Sequence, residues 1–199
     1  MQIRLIAFLF TFICFLLAFA FFTHNEPAFA ETDAYQPAYT LSGKLIRPAE
    51  TERWIFVGSN LGLNYEKRGL NDTPSFHNIY ISPFAYESYQ TTGKFPDKTM
   101  LLLDRYEREG KSPQNSILTD GYFNGKRTGF EIAVKDSTRP NRRENSKAEW
   151  AYYAFGGDDE LRQTASAFPD AACQACHAEH AGDDHVWVQF YPVLRRAKN

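Results

Sequence analysis

Five consecutive residues late in the chain have the types and spacing of a haem attachment sequence. Cys173 and Cys176 are separated by two residues, and His177 follows the second cysteine directly. The pattern Cys-x-x-Cys-His is the attachment sequence of c-type haem. A short helical turn brings both sulfurs to the edges of one porphyrin and points the next imidazole at its iron. We therefore predict that Cys173 and Cys176 form thioether bonds to one haem c and that His177 is the proximal ligand of the iron.

Three other kinds of site are compatible with the same residues. A redox-active cysteine pair of the thioredoxin kind is expected early in a βαβ unit, beside a strand, and needs no following histidine. A structural zinc site needs four ligands, and His180 and His185 are available to complete a Cys2His2 set. A simple disulfide between Cys173 and Cys176 is the third alternative in an exported chain. The histidine that directly follows the pair favours haem c over all three.

The other axial position of the iron, on the distal side of the haem, is less clearly specified. An electron-transfer cytochrome uses Met or His there. Met100 lies in the apolar run Thr-Met-Leu-Leu-Leu, which predicts a buried strand, and His77 stands at the start of another predicted strand. His180 is too close to His177 along the chain to reach the opposite face of the haem. We expect an open distal position, which favours binding or catalysis on small molecules over electron transfer alone.

Residues 1–30 have the pattern of a secretory signal peptide. A basic residue, Arg4, precedes an apolar run over residues 5–22, and an Ala-x-Ala cleavage site ends at Ala30. We expect cleavage after Ala30 and a periplasmic location for the mature chain. The apolar run is nearly long enough to cross a bilayer, so an uncleaved membrane anchor is the less favoured alternative.

The residues after the leader are numerous enough for one domain with its own core. We expect an irregular lead-in over residues 31–50 and one haem domain over residues 51–199. The net charge of −2 gives no basic surface of the kind that binds nucleic acid. Aromatic residues make up 16% of the chain, and aromatic side chains favour strands and large apolar pockets.

Alternating and aromatic segments predict an antiparallel sheet rather than the long Ala- and Leu-rich helices of a four-helix bundle. Ser82 and Pro83 predict a short helix over 83–90, with Ser82 as its N-cap, and a second short helix over 158–167 leads into the haem sequence. The segment 121–125 is predicted to end in a turn at Gly125. The predicted strands are 54–58, 77–82, 99–106, 128–136, 150–155 and 185–191. The expected fold class is mainly β (α+β), an antiparallel β-sheet with short helices, one of which carries the haem c sequence.

Several short motifs in consistent order resemble the cytochrome P-460 family, which includes the β-sheet form of cytochrome c′. The resemblance covers nearly all of the chain after the predicted leader. It implies a β-rich fold, often homodimeric, in the periplasm, with a five-coordinate haem whose distal side is open. The motifs are YISPFAY at 80–86, TGKFPD at 92–97, GYFNG at 121–125, VKD at 134–136, WAYYAF at 150–155, CQACH at 173–177 and FYPVL at 190–194.

The resemblance implies one of two activities. Some members oxidise hydroxylamine and carry a lysine cross-linked to the porphyrin, and others bind nitric oxide or another diatomic in an apolar pocket. The position that matches the cross-linking lysine is Leu103, and no lysine occurs between Lys98 and Lys111. We therefore expect a distal pocket lined by Leu103 that binds nitric oxide or a similar small ligand. Phe76 and Phe130 are further candidates for its wall, with ordinary core packing as the favoured role of each.

Two alternative functions stay open. A hydroxylamine-oxidising or related N-oxide oxidoreductase needs a distal base that removes protons, and His77 and Glu131 are the candidates for that catalytic role. An electron-transfer cytochrome c needs Met100 or His77 as the sixth ligand and an electron-transfer protein as its partner.

Overall fold

The computed structural model of the chain describes residues 35–64, 73–110, 121–142, 149–157 and 160–195. The predicted signal peptide over residues 1–30 lies outside these ranges. Within the part that the structure describes, no helix combines the length and the apolarity needed to cross a membrane.

A five-stranded antiparallel sheet forms the centre of the fold, and its strands lie side by side in chain order. Antiparallel neighbours in chain order need only local connections, so this topology suits a chain with turn signals between its strands. The strands are β1 (Leu45–Ile46), β2 (Ile55–Leu61), β3 (Phe76–Ile81), β4 (Met100–Gly110), β5 (Tyr122–Lys135), β6 (Trp150–Ala154) and β7 (Thr164–Ala165). The large sheet contains β2 to β6, and β1 and β7 form a second, two-stranded antiparallel sheet.

Short helices complete the fold. They are α1 (Pro83–Thr92), α2 (Gln174–His180) and α3 (Pro192–Arg195), with 3-10 helices at Thr51–Arg53 and Val188–Phe190. α1 begins at Pro83 as predicted, because the fixed φ of proline suits the first helical position, where its missing N–H is not needed. Ser82 holds the N-cap position without a capping hydrogen bond from its side chain. The helix ends at Gly93, whose φ of 67° is the left-handed conformation that glycine adopts easily.

The predicted fold class is confirmed, since the structure is mainly an antiparallel sheet with a few short helices. The strands predicted over 54–58, 77–82, 99–106, 128–136 and 150–155 are confirmed as β2 to β6. These segments have the alternating or continuous apolar patterns that distinguish strands from helices.

Three local predictions are wrong. The turn expected at Gly125 is absent, because β5 continues past it: residues 122–124 pair with the end of β4, and the pairing resumes at Arg127 after a register shift. The described part of the helix predicted over 158–167 is not helical, and Thr164–Ala165 pairs instead with β1. The strand predicted over 185–191 is replaced by a turn and the 3-10 helix Val188–Phe190. In each case contacts with a distant segment, which local patterns do not report, decided the conformation.

The large sheet has two faces with different neighbours, because successive side chains of a strand point to opposite sides. The first, called here the β1 face, packs against β1 and β7 and carries the buried residues Met100, Leu102, Phe130, Ile132 and Val134. The second, called the helical face, packs against α1 and the C-terminal segment and carries Ile79, Ile81, Leu101 and Trp150.

The segment predicted as an irregular lead-in contributes to the core of the β1 face. Leu45 is fully buried and pairs with Ala165 of β7. The Tyr39 hydroxyl donates to the carboxylate of Asp136 at 2.9 Å, and Lys98 forms an ion pair with the same carboxylate. Burial raises the pKa of Asp136, but hydrogen bonds, above all the one from Lys98, outweigh burial and hold that pKa below its usual value. The segment is therefore held by the apolar packing and pairing of Leu45 and by the hydrogen bond from Tyr39 to Asp136, the residue that follows β5.

We predict that Leu45→Ala lowers the free energy of unfolding by about 2–5 kcal/mol, because it leaves a cavity in a fully buried position. Leu41→Ala is the matched control, since the Leu41 side chain is fully exposed and its removal should cost less than about 0.5 kcal/mol. Equilibrium denaturation with urea measures both values. Equal effects of the two substitutions would show that residues before 51 do not belong to the folded core.

Candidate haem-attachment site

The attachment sequence forms the beginning of α2. Cys173 is the N-cap residue, and the backbone N–H of His177 donates to the Cys173 carbonyl at 3.1 Å. Residues three and four apart lie on one face of a helix, so Cys173, Cys176 and His177 project to the same side. Both cysteines are partly exposed free thiols. The predicted helical turn is thus present, and it brings together the three residues predicted to hold the haem.

The imidazole of His177 is held by a hydrogen bond to the backbone. Its Nδ1 lies 2.8 Å from the carbonyl oxygen of His185. Because a carbonyl oxygen only accepts, Nδ1 carries the proton and Nε2 has a lone pair. The indole N–H of Trp187 donates to Nε2 at 3.3 Å, which agrees with this tautomer. Histidines that bind metals are typically held in this way, through the ring nitrogen that does not bind the metal.

The surroundings of His177 keep its imidazole neutral. Burial lowers its pKa, the hydrogen bond to the His185 carbonyl opposes that effect, and the nearby His185 ring lowers the pKa further. The rings of Tyr152 and Trp187 cover the imidazole, with centroids 4.6 Å and 5.3 Å away. A neutral imidazole has the lone pair that a metal ligand needs, so the site suits iron coordination through Nε2.

The Cys173 thiol lacks the properties of a redox-active cysteine. Burial raises its pKa, and the negative charges of Glu131 and Cys176 raise it further. Redox-active pairs instead depend on a cysteine whose pKa is lowered, because the thiolate is the nucleophile. The structure therefore disfavours the thioredoxin-like alternative.

The disulfide and zinc alternatives are not supported by the described residues either. Cys173 and Cys176 are not bonded to each other. In the described ranges, no three His, Cys, Asp or Glu side chains are grouped so as to hold a metal ion. His180 instead lies beside Glu179 at 3.8 Å, and His185 contacts Gln174 through Nδ1 at 3.2 Å. Within the described residues, the two histidines therefore form no such group with the cysteines.

The carbonyl that holds His177 belongs to a tight turn between Asp183 and Val186. The Val186 N–H donates to the Asp183 carbonyl at 2.7 Å, and the Asp183 N–H donates to the Val186 carbonyl at 3.3 Å. The two residues between them, Asp184 and His185, have φ values of 44° and 62°. A two-residue hairpin loop of the I′ type needs positive φ at both positions. The usual sequence signal of a type I′ turn is Asn-Gly or Asp-Gly at its two central positions. Sequence analysis missed this turn because its central pair is Asp184-His185, with histidine in place of glycine.

The three residues predicted for the distal side lie on the helical face of the sheet. Leu103 and Glu131 are cross-strand partners, and His77 of β3 pairs with Arg105 of β4. Leu103 packs against the core of the helical face, and the Glu131 charge acts on the Cys173 thiol. The sheet therefore brings Leu103, Glu131 and His77 to the same side as the attachment sequence.

Met100 and Phe130 lie on the opposite side of the sheet. Both belong to the buried cluster of the β1 face, and Phe130 contacts Phe155 edge-to-face with ring centroids 6.0 Å apart. The prediction of a buried strand at Met100 is confirmed, and Met100 packs in the core on the side of the sheet away from the attachment sequence. Phe130 packs in this core, and Phe76 alternates with His77 along β3, so the strand pattern directs both side chains away from the attachment sequence.

Glu131 and His77 both have hydrogen-bond partners. The Glu131 carboxylate accepts from Arg105 at 2.7 Å, and roughly a third of each side chain is exposed, 34% and 37% respectively. The Arg105 side chain passes over Gly129, where an added Cβ would lie 2.5 Å from the arginine Nε. His77 contacts the Ser75 hydroxyl through Nε2 at 3.0 Å. Glu131 is thus part of an ion pair whose arginine side chain runs close to Gly129.

The residues present fit a haem c. Two free thiols and a histidine whose Nε2 carries the lone pair, in the structure accepting from Trp187, project from one helical turn, toward a sheet face that carries Leu103 and Tyr152. Sequence analysis did not assign Tyr152 or Trp187 to the site. Their only signal was the aromatic character of the runs that contain them, and that character is equally typical of a core strand.

One family model, described as Cytochrome P460, matches residues 48–188 of the chain. The match covers more than half of the sequence and includes the attachment sequence and β2 to β6. A search of curated proteins finds no match.

We predict that Cys173→Ala and Cys176→Ala each leave one covalent bond to the haem and that the double variant releases the haem on denaturation. Mass spectrometry of the denatured holoprotein measures the haem that stays attached. His180→Ala is the control, because this exposed residue lies on the same helix and should leave attachment unchanged. Haem that remains bound to the denatured double variant would contradict the assignment of the two cysteines.

Proposed function

The chain belongs to the cytochrome P460 family, and we propose that it is an exported mono-haem member whose open distal site binds nitric oxide or a similar small nitrogen-containing ligand. Its family membership makes it a c-type haem cytochrome. The observation that carries the proposal is the placement of Met100 in the buried cluster of the β1 face. His77, the other residue considered as a sixth ligand, is hydrogen-bonded to Ser75 through Nε2. Neither of the two candidate residues is therefore placed to bind the iron on its distal side.

The proximal side is built to hold the cofactor. In this proposal Cys173 and Cys176 bind the porphyrin through thioether bonds, and Nε2 of His177 binds the iron. When bound, haem iron supplies a coordination position for a diatomic ligand, and the polarity and access of the distal pocket set which ligand stays. The His185 carbonyl fixes the orientation of the His177 ring, because it accepts from Nδ1 at 2.8 Å.

The distal residues divide into an apolar part and a polar part. Leu103 is partly buried against the apolar cluster of the helical face, so it limits water at the ligand position. Arg105 and Glu131 form an ion pair next to it. An uncharged diatomic suits the apolar part, since its binding needs no compensating charge.

Hydroxylamine oxidation is the second candidate, because Glu131 lies on the side of the sheet where a distal base is needed. That activity uses a lysine cross-linked to the porphyrin, and two lysines that could be considered for this role have other partners. The Lys98 ammonium bonds to Asp136 and Thr138, and Lys135, on the helical face, is bonded to Asp184 at 2.8 Å. Because Leu103 occupies the position of the cross-linking lysine, we propose that the protein is one of the family members that bind a small ligand.

We further propose that residues 1–30 direct export to the periplasm, that an electron-transfer protein serves as a redox partner and that the protein is a homodimer. The charged start, apolar run and Ala-x-Ala site support the export. We predict that the haem-containing protein is recovered from the periplasmic fraction with Glu31 at its N-terminus. N-terminal sequencing checks the cleavage, and an intact leader in the membrane fraction would show an uncleaved anchor instead.

For the function itself, we predict a high-spin ferrous spectrum that changes when nitric oxide is added, because the distal position is open. Optical spectra of the purified ferric and ferrous holoprotein, with and without nitric oxide, provide the measurement. Met100→Leu and His77→Ala are expected to leave the spin state unchanged. If either residue occupied the sixth position, the unsubstituted protein would be low-spin, and replacement of that residue would convert the spectrum to high-spin.

Two other spectra would redirect the assignment. A low-spin spectrum that nitric oxide leaves unchanged would contradict the open site and indicate an electron carrier. A strongly red-shifted ferrous Soret band would reveal a cross-linked haem and favour hydroxylamine oxidation.

A further inference from the structure

The turn that holds the proximal histidine is attached to the sheet through one carboxylate. The Asp184 Oδ2 accepts from the Lys135 ammonium at 2.8 Å, and its Oδ1 accepts from the Trp150 indole N–H at 3.2 Å. Lys135 and Trp150 are cross-strand partners on β5 and β6. The two oxygens of Asp184 therefore bridge neighbouring strands of the large sheet.

This attachment is shielded from water. Only 24% of the Asp184 side chain and 19% of the Lys135 side chain are exposed, and Trp150 is almost completely buried. Lys135 also donates to the Phe95 carbonyl at 3.1 Å, which fixes the position of its ammonium. Charge-assisted hydrogen bonds are stronger than neutral ones, and partial burial reduces their screening by solvent.

The attached residue is adjacent to the one whose carbonyl orients His177. Asp184 and His185 are the two central residues of the turn, and both have positive φ. Asp and His adopt this conformation more readily than most residues, but it is uncommon outside glycine. A turn of this kind persists when surrounding contacts hold it, and the contacts of Asp184 serve that purpose.

We propose that Asp184 is a positioning residue for the proximal ligand: by binding Lys135 and Trp150, it holds the His185 carbonyl against Nδ1 of His177. The inference rests on the proposed role of His177 as the iron ligand. An anchored acceptor at Nδ1 raises the basicity of the imidazole and fixes the plane of its ring. Asp184 thereby strengthens the iron–histidine bond and favours the ferric state without touching the cofactor.

The test compares two substitutions that break the same attachment with opposite changes in charge. Asp184→Asn removes a negative charge, and Lys135→Met removes a positive one. Resonance Raman spectroscopy of the ferrous holoprotein measures the frequency of the iron–histidine stretching band, and a redox titration measures the reduction potential. If the attachment positions the carbonyl, both variants lower the band frequency and raise the potential.

A purely electrostatic effect gives a different result. Loss of a negative charge raises a haem potential and loss of a positive charge lowers it, so opposite shifts of the two variants would overturn the proposal. Glu149→Gln is the matched control, because Glu149 contacts the same lysine at 3.5 Å with a side chain that is 58% exposed. This variant should leave the band unchanged.

The outcome for the unsubstituted protein separates this inference from the proposed function. A high-spin ferrous holoprotein without an iron–histidine band would remove His177 as the ligand and with it the premise. A normal band that neither Asp184→Asn nor Lys135→Met shifts would overturn the role of Asp184 alone. If Asp184→Asn does not fold, Lys135→Met still tests the proposal, because it removes the donor of the same hydrogen bond.

Discussion

The hydrogen bond between Nδ1 of His177 and the His185 carbonyl is the contact on which the chemistry of this protein depends. It fixes the tautomer of the imidazole and leaves the Nε2 lone pair for a metal. A histidine without that bond would rotate about its side-chain torsions and present either nitrogen. The turn between Asp183 and Val186 therefore belongs to the functional site as much as the attachment sequence does, although none of its side chains is assigned to the cofactor.

The two-sided sheet explains how one small domain provides both a stable core and a cofactor site. Strand alternation sends Met100 and Phe130 to the β1 face, where they pack with Leu45 of the small sheet. It sends Leu103 and Glu131 to the helical face beside the attachment sequence. A shift of one residue in the pairing of β4 with β5 would exchange the two sets. The cross-strand register is therefore a determinant of the distal pocket as well as of the fold.

Both the successful and the unsuccessful sequence predictions have a physical explanation. The strands β2 to β6 are recognisable because their apolar patterns match the period of a strand, and α1 because Pro83 suits the first position of a helix. The helix predicted over 158–167 and the strand predicted over 185–191 are wrong because those segments are shaped by partners far away in the chain. β7 exists only through its pairing with β1, and the turn at Asp184 is held by residues of β5 and β6. Local propensity carries no information about such partners.

The sequence by itself determined the kind of site: Cys173, Cys176 and His177 lie within one helical turn, so five residues suffice to predict the cofactor. It also determined the mainly β fold class, because hydrophobic periodicity is a local property of each strand. Only the tertiary structure decided which side of the sheet each candidate residue faces, and it placed Met100 on the side opposite Leu103, Glu131 and His77. It alone revealed the contacts of Tyr152 and Trp187 with His177 and the bond that ties the turn to the sheet through Asp184. The reason is that register, burial and backbone turns arise from contacts between segments distant in sequence, and a motif does not encode those contacts.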